Sequence, residues 1–323
     1  MALLRLSSDD GLIGLGEAVP LSLRGGTGLA RVVEELERLG ELEAFDESTV
    51  SEIELSAPAR CAALTALLDL RGRRAAADGS ATAGSSPPVR CNATLAAGAP
   101  AAVVSAAERW AADGFSTFKL KLGVGDDVAQ VRAVREALGP RARIRVDANG
   151  AWDLETAKRV LAELEPYEIE LAEQPVATIG EATELAGSTA IPLAADESVA
   201  SRADAARVAA AGGFAITGIK LAKVGGAEEA IAIADVLPAY VTSALDGPVG
   251  IAAAAQLAQS LGPLGREAGE GLAHGLATQR LFATTIAATE CELRGDLLHL
   301  PDGPGLGVDI DEEALNAHRL DLD

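Results

Sequence analysis

The sequence predicts an α/β protein: a (β/α)8-type barrel preceded by an α+β segment. Two observations carry this reading. Eight short β-like runs alternate with alanine-rich helical stretches after about residue 86, and several of the runs end on or next to a polar residue. Those ends, Lys121, Asp147, Glu173, Asp196, Lys220 and Ser243, are spaced 26, 26, 23, 24 and 23 residues apart. A strand, a loop, a crossover helix and a second loop need about that much chain, and parallel units of this kind are right-handed. Eight of them in roughly 200 residues make a barrel, with its chemistry at the C-terminal ends of the strands. An open doubly wound sheet is the competing arrangement, but no Gly-x-Gly-x-x-Gly follows a strand.

Taken in order, "ALLRL" and "GLIGLGEAVP" read as two short strands around the turn "SSDDG". Helical patterns follow in "GLARVVEELERLGELEAF" and "APARCAALTALLDLRGRR". The stretch "DGSATAGSSPP" is a linker or surface loop. The barrel runs are "VRCNATL", "FSTFKLKL", "RIRVD", "EIELAE", "IPLAAD", "AITGIKL", "AYVTSAL" and "EGLAHGL".

Composition narrows the function. With 27 basic and 48 acidic residues the net charge is -21, which repels nucleic acid and anionic lipid. Cys61, Cys91 and Cys291 are odd in number and irregular in spacing, so neither a disulfide framework nor a zinc cluster is expected. No membrane span or basic leader is visible, and a cytoplasmic setting is expected. A small-molecule substrate remains, with a homo-oligomer as an admissible state.

The polar strand ends form one constellation. At a barrel mouth Asp147, Glu173 and Asp196 become neighbours, and three crowded carboxylates raise one another's pKa unless a cation intervenes. Hard oxygen ligands from three strands suit Mg²⁺ and accept Mn²⁺. The plainer alternative is that each acid caps the helix after its strand. Lys119 and Lys121 share one face of the preceding strand, and Lys220 ends the following one. A lysine beside another lysine or a metal is expected to have its pKa lowered toward use as a general base. Lys121, nearer the strand end, is the candidate base, tuned by Lys119. The chemistry implied is removal of a proton next to a carboxylate, with a metal taking up charge on the enediolate oxygens.

In that order and spacing, "KLK", "VDAN", "AEQP", "ADES" and "IKLAKVGG" resemble the enolase superfamily, in particular its muconate-lactonizing branch. The resemblance implies an enolase-like modified TIM barrel over 86–285, an N-terminal α+β capping domain over 1–85, and a C-terminal segment over 286–323 that returns to the cap. It implies metal ligands at Asp147, Glu173 and Asp196 and a catalytic lysine pair at Lys121 and Lys220, one on each side of the substrate. Lys119 matches an accessory lysine, and Asn149 and Glu197 match positions beside the ligands. The cap's usual first strand is expected to be missing, because Met1 leads straight into "ALLRL". The loop at residues 17 to 26 is expected to cover the mouth.

Within the branch, Arg145 two residues before Asp147 and the runs "VTSALDGPVGIAAAAQLA" and "HGLAT" resemble the o-succinylbenzoate synthases of menaquinone biosynthesis. That implies Arg145 contacting substrate and Ser243 holding a succinyl carboxylate; a structural ion pair is the alternative role for Arg145. N-succinylamino acid racemase and dipeptide epimerase are the rival activities, although "EGLAHGLAT" lacks the Asp-x-Asp pair of the epimerases. His274 at the eighth strand is expected to be a polar filler, and Lys223 is expected to lie in a loop.

Overall fold

Strands β1 (Ala2–Ser7) and β2 (Ile13–Ala18) pair antiparallel around the Ser8–Leu12 turn. They are followed by helices α1 (Leu29–Leu39), α2 (Glu47–Glu52) and α3 (Ala57–Ala77). The computed structural model describes residues 1–20, 26–40, 45–80, 86–262 and 271–320. Residues 21–25 of the loop expected to cover the mouth lie outside them. Strand β2 lies directly on α3: a Cβ at Gly14 or Gly16 would stand 2.1 Å from the Ala66 carbonyl oxygen or 2.0 Å from that of Ala62. The glycines of "GLIGLGEA" permit this approach.

Seven parallel strands form one curled sheet in sequential order: β4 (Ala93–Leu95), β5 (Thr117–Lys121), β6 (Arg143–Asp147), β7 (Ile169–Glu173), β8 (Leu193–Ala195), β9 (Ile216–Ile219) and β10 (Ala239–Val241). Helices fill the connections: α4 (Pro100–Ala112), α5 (Asp127–Leu138), α6 (Leu154–Leu164), α7 (Ile179–Ala186), α8 (Arg202–Ala211), the short α9 (Leu221–Val224) with α10 (Ala227–Ala234), and α11 (Pro248–Leu261). The main core lies between strands and helices, with Phe118, Leu120, Ile144, Leu161 and Val208 buried. A smaller cluster of Leu171, Ala194, Ile216 and Tyr240 fills the inside of the curl.

Two of the expected strands differ. "VRCNATL" divides: β3 (Val89–Arg90) joins β12 (Glu292–Arg294) and β13 (Leu297–His299) in an antiparallel sheet, and only β4 enters the parallel one. "EGLAHGL" forms no strand among its described residues. Instead His274 and Gly275 make single parallel bridges to Cys91 and Thr242, linking the first edge of the curl to the last. Two glycines in so short a run disfavour a longer ladder.

The chain's tail, with β11 (Ala287–Thr289), β14 (Asp309–Ile310) and α12 (Glu312–Ala317), also meets the N-terminal elements. Buried Asp69 on α3 accepts from Leu15 N at 2.8 Å and Leu306 N at 2.7 Å, and Arg73 pairs with it at 2.9 Å. Arg5 of β1 pairs with Glu312 of α12 at 2.5 Å. No helix among the described residues is long and apolar enough to cross a membrane.

Candidate active site

Register brings the strand-end residues together. Lys121 on β5 lies beside Asp147 on β6, Asp147 beside Glu173 on β7, and Glu173 beside Ala194 on β8, two residues before Asp196. All three acids are buried. They do not cap the helices that follow them: Asp153, Thr178 and Ser201 cap α6, α7 and α8 with their own side chains. The capping alternative therefore leaves the three carboxylates unexplained.

Their charge is met by ammonium groups. Lys119 Nζ lies 2.6 Å from Glu173 Oε1 and 2.9 Å from Asp147 Oδ2. Lys121 Nζ donates to Asp147 Oδ2 at 2.5 Å and Asn149 Oδ1 at 2.9 Å. Lys220 donates to Asp196 Oδ2, and Lys223 Nζ reaches Asp196 Oδ1 at 2.8 Å. Thus Lys121 and Lys220 stand at opposite ends of the acid row, with Lys119 inside it. Among the described residues no three acidic, histidine or cysteine side chains close on one point as ion ligands; the lysines lie on the carboxylates instead. As a donor set, three buried carboxylates on adjacent strand ends suit a hard divalent cation.

Lys119 and Lys220 are shifted opposite to the expectation of a lowered lysine pKa. Burial alone would lower Lys119, but Asp147, Glu173 and Asp196 outweigh it and hold the ammonium form well above its usual range. Lys220 is likewise raised: burial opposes, and Asp196 and Glu173 prevail. Carboxylates on neighbouring strands outweigh the like charge along one strand. Burial pushes Asp147 and Asp196 up, yet their lysines carry both below the ordinary aspartate range. Glu173 is raised by burial, reinforced by the two flanking aspartates.

The backbone around the acids is fixed by short polar contacts. Asn149, at φ 50°, donates its N–H to Asp147 Oδ1 at 2.9 Å, and its amide reaches Glu197 Oε1 at 3.2 Å. Gln174 was not anticipated from sequence. Its Oε1 accepts from Asp196 N at 3.0 Å and Ser198 N at 3.1 Å, and so sets the peptide that carries Asp196. A glutamine next to a strand-end glutamate was the available signal. Lys223, expected in a loop, sits in α9 and joins Lys220 on Asp196.

Arg145 does not line the mouth. It is fully buried; Nε donates to Glu170 Oε2 at 2.5 Å and Nη1 to the Ala273 carbonyl at 2.6 Å. Its side chain points into the barrel one layer below Asp147, where it fills the ion-pair role. Ser243 Oγ accepts from Asp246 N at 2.9 Å and so shapes the turn after β10. His274 accepts from Val241 N at 3.0 Å through Nδ1; burial and then the Arg145 charge push its pKa down to about 4, so it stays neutral. Tyr240, in a run that reads as plain strand, donates its hydroxyl to Glu173 Oε2.

Residues 102–314 match the family described as Enolase C-terminal domain-like. The o-succinylbenzoate synthase of Thermobifida fusca (strain YX) is 40% identical over 205 residues, covering 61% of this chain and 62% of the synthase. That match thus spans less than two thirds of the relative's own length. Muconate cycloisomerase 1-2 of Acinetobacter lwoffii is 30% identical over 353 aligned residues, 99% of this chain and 88% of that protein. The crystal structure of the dipeptide epimerase from Enterococcus faecalis V583, complexed with Mg and the dipeptide L-Leu-L-Tyr, matches with a TM-score of 0.84 at 27% identity over 95% of this chain and 91% of the epimerase.

Proposed function

The chain belongs to the enolase superfamily, in its muconate-lactonizing subgroup, and from that premise we propose an o-succinylbenzoate synthase-like lyase that removes the proton α to a carboxylate and eliminates water. The observation that carries the proposal is the row Lys121, Asp147, Glu173, Asp196, Lys220: a candidate base at each end of three buried acids. We assign Asp147, Glu173 and Asp196 as ligands of Mg²⁺, with Mn²⁺ as a substitute; the E. faecalis epimerase is described with Mg. The bound ion supplies positive charge that acidifies the α-proton and stabilises the charge left on the carboxylate.

The remaining work falls to this chain's side chains. Lys121, held by Asp147 and Asn149, takes the α-proton once it is neutral, and on the same face returns it to the departing hydroxide. Lys220, at the far end of the row, keeps a positive charge beside the substrate. Lys119, enclosed by Glu173 and Asp147, stays protonated and balances the acids. The substrate is a succinylated hydroxycyclohexadiene carboxylate, the product an aromatic ring, and the setting the cytoplasmic route to menaquinone. The 40% identity to the T. fusca synthase supports this specificity.

A second reading is racemisation or epimerisation of an N-succinylamino acid or dipeptide. It is favoured by the same geometry, because inversion needs a base on each side. Assays of the purified protein against the succinylated cyclohexadiene, N-succinylamino acids and dipeptides, each with and without Mg²⁺, decide between them. Dehydration alone supports the synthase; inversion without dehydration overturns it.

A further inference from the structure

Glu173 is the middle acid of the row, and both of its oxygens are engaged. Oε1 receives the Lys119 ammonium at 2.6 Å, and Oε2 receives the hydroxyl of Tyr240 from the other side of the barrel interior. Tyr240 is fully buried. Its reach depends on Gly218 of β9, where a Cβ would lie 3.2 Å from the hydroxyl oxygen and 3.3 Å from Cζ. The phenol ring is braced in turn by Arg145, whose Cζ stands 5.4 Å from the ring centroid. Arg145 Nη2 is buried with no hydrogen-bond partner, and the guanidinium stands over the Tyr240 ring.

We propose that Tyr240 is a positioning residue for the metal centre: its hydroxyl fixes the rotation of the Glu173 carboxylate, and Arg145 and the gap over Gly218 hold the hydroxyl in place. This rests on the assignment of Glu173 as an ion ligand. A carboxylate held at one oxygen only can turn about its terminal bond, and freezing that rotation preorganises it for an ion. An ionised carboxylate only accepts, so the Tyr240 hydroxyl is the donor in this contact.

The test is Mn²⁺ binding to the full-length protein, followed by paramagnetic resonance of the free ion, with Tyr240→Phe and Gly218→Ala compared with the wild type. Outer contacts to metal ligands contribute about 10- to 100-fold to affinity. Tyr240→Phe keeps the ring and loses the hydroxyl, so its Mn²⁺ affinity is expected to fall within that range. Gly218→Ala keeps the hydroxyl but pushes it aside, and is expected to weaken binding in the same direction by a smaller factor. In turnover assays the Mg²⁺ concentration for half-maximal rate rises in both, while substrate KM at saturating Mg²⁺ changes less than threefold. Should Tyr240→Phe not fold, Gly218→Ala carries the comparison. Wild-type binding with both variants inside twofold of it overturns the positioning role and leaves the ligand assignment standing. A wild type that binds no Mn²⁺ overturns both.

Discussion

Glu17, at the end of the N-terminal hairpin, and Asp246, in the loop after β10, bury two carboxylates against the same turn: a Cβ at Gly250 would lie 3.1 Å from Glu17 Oε1 and 3.1 Å from Asp246 Oδ1. Glu17 also accepts from the Gly247 and Gly250 N–H groups at the start of α11, at 2.5 and 3.3 Å. These N–H groups favour the anion, but burial, and then Asp246, push Glu17 from 4.5 up to about 7. The Cys61 thiol on α3 also faces the pair, and Lys220 favours ionised Asp246.

Because the folded pKa of Glu17 lies above the unfolded one, the native state binds the extra proton between pH 4.5 and about 7. Stability is therefore full below pH 4.5, declines through that window and levels off above it, by on the order of 3 kcal/mol from this group. Asp246, also raised by burial, acts in the same direction. Urea unfolding of the wild type and Glu17→Gln at closely spaced pH values checks this. The variant is expected to lose most of the slope; equal slopes would exclude Glu17 as its source.

Arg145→Met should act on folding rather than on substrate binding. It leaves the buried Ala273 carbonyl and the half-buried Glu170 without their partner, and because Glu170 keeps some solvent contact the loss should fall below the about 3 to 5 kcal/mol of a fully buried pair. Urea midpoints report that loss. A stable variant with a tenfold higher KM would restore the substrate-contact role that the residue's spacing suggested.

The acid row was legible because its signal is local. One βα unit has a nearly constant length, so a polar residue recurring at that interval marks strand ends whatever the rest of the chain does. The glutamine after Glu173 and the tyrosine in "AYVTSAL" carried no such periodic mark. The reach of Tyr240 to Glu173 depends on strand tilt and on empty space over Gly218, and both are tertiary properties. The same limit inverted the expectation for Lys119: its neighbour Lys121 is visible along one strand, whereas the acids that outweigh it come from β6, β7 and the end of β8. Closure at His274 and Gly275 was blurred for a related reason, since two isolated bridges leave little trace in a run read for strand propensity.

Activity is expected to require a divalent ion. Asp147→Asn or Asp196→Asn removes one charge from the donor set while keeping its shape, so each variant should fold yet lose Mg²⁺-dependent turnover by about a hundredfold or more. Chelation of the wild type should abolish turnover, and added Mg²⁺ or Mn²⁺ should restore it. Undiminished activity after exhaustive chelation would remove the metal from the mechanism.

The two end lysines separate the lyase from the racemase. Dehydration with proton return on one face needs one base, whereas inversion needs a second base to deliver a proton to the opposite face. Lys121 Nζ is held by Asp147 and Asn149, and Lys220 by Asp196, so the two variants perturb different acids. Lys121→Ala is expected to abolish dehydration. Lys220→Arg keeps a positive charge at its end of the row but cannot serve as a base, so it should retain dehydration at a level reduced about tenfold to a hundredfold. In deuterated water each enantiomer of an N-succinylamino acid reports one lysine by α-proton exchange. If inversion is the main activity, Lys220→Arg should stop exchange of one enantiomer and Lys121→Ala that of the other, with racemisation lost in both. Retained dehydration in Lys220→Arg, with none in Lys121→Ala, assigns the single base to Lys121. The reverse pattern would move the base to Lys220 and turn the substrate over in the site, while the acid row kept its role.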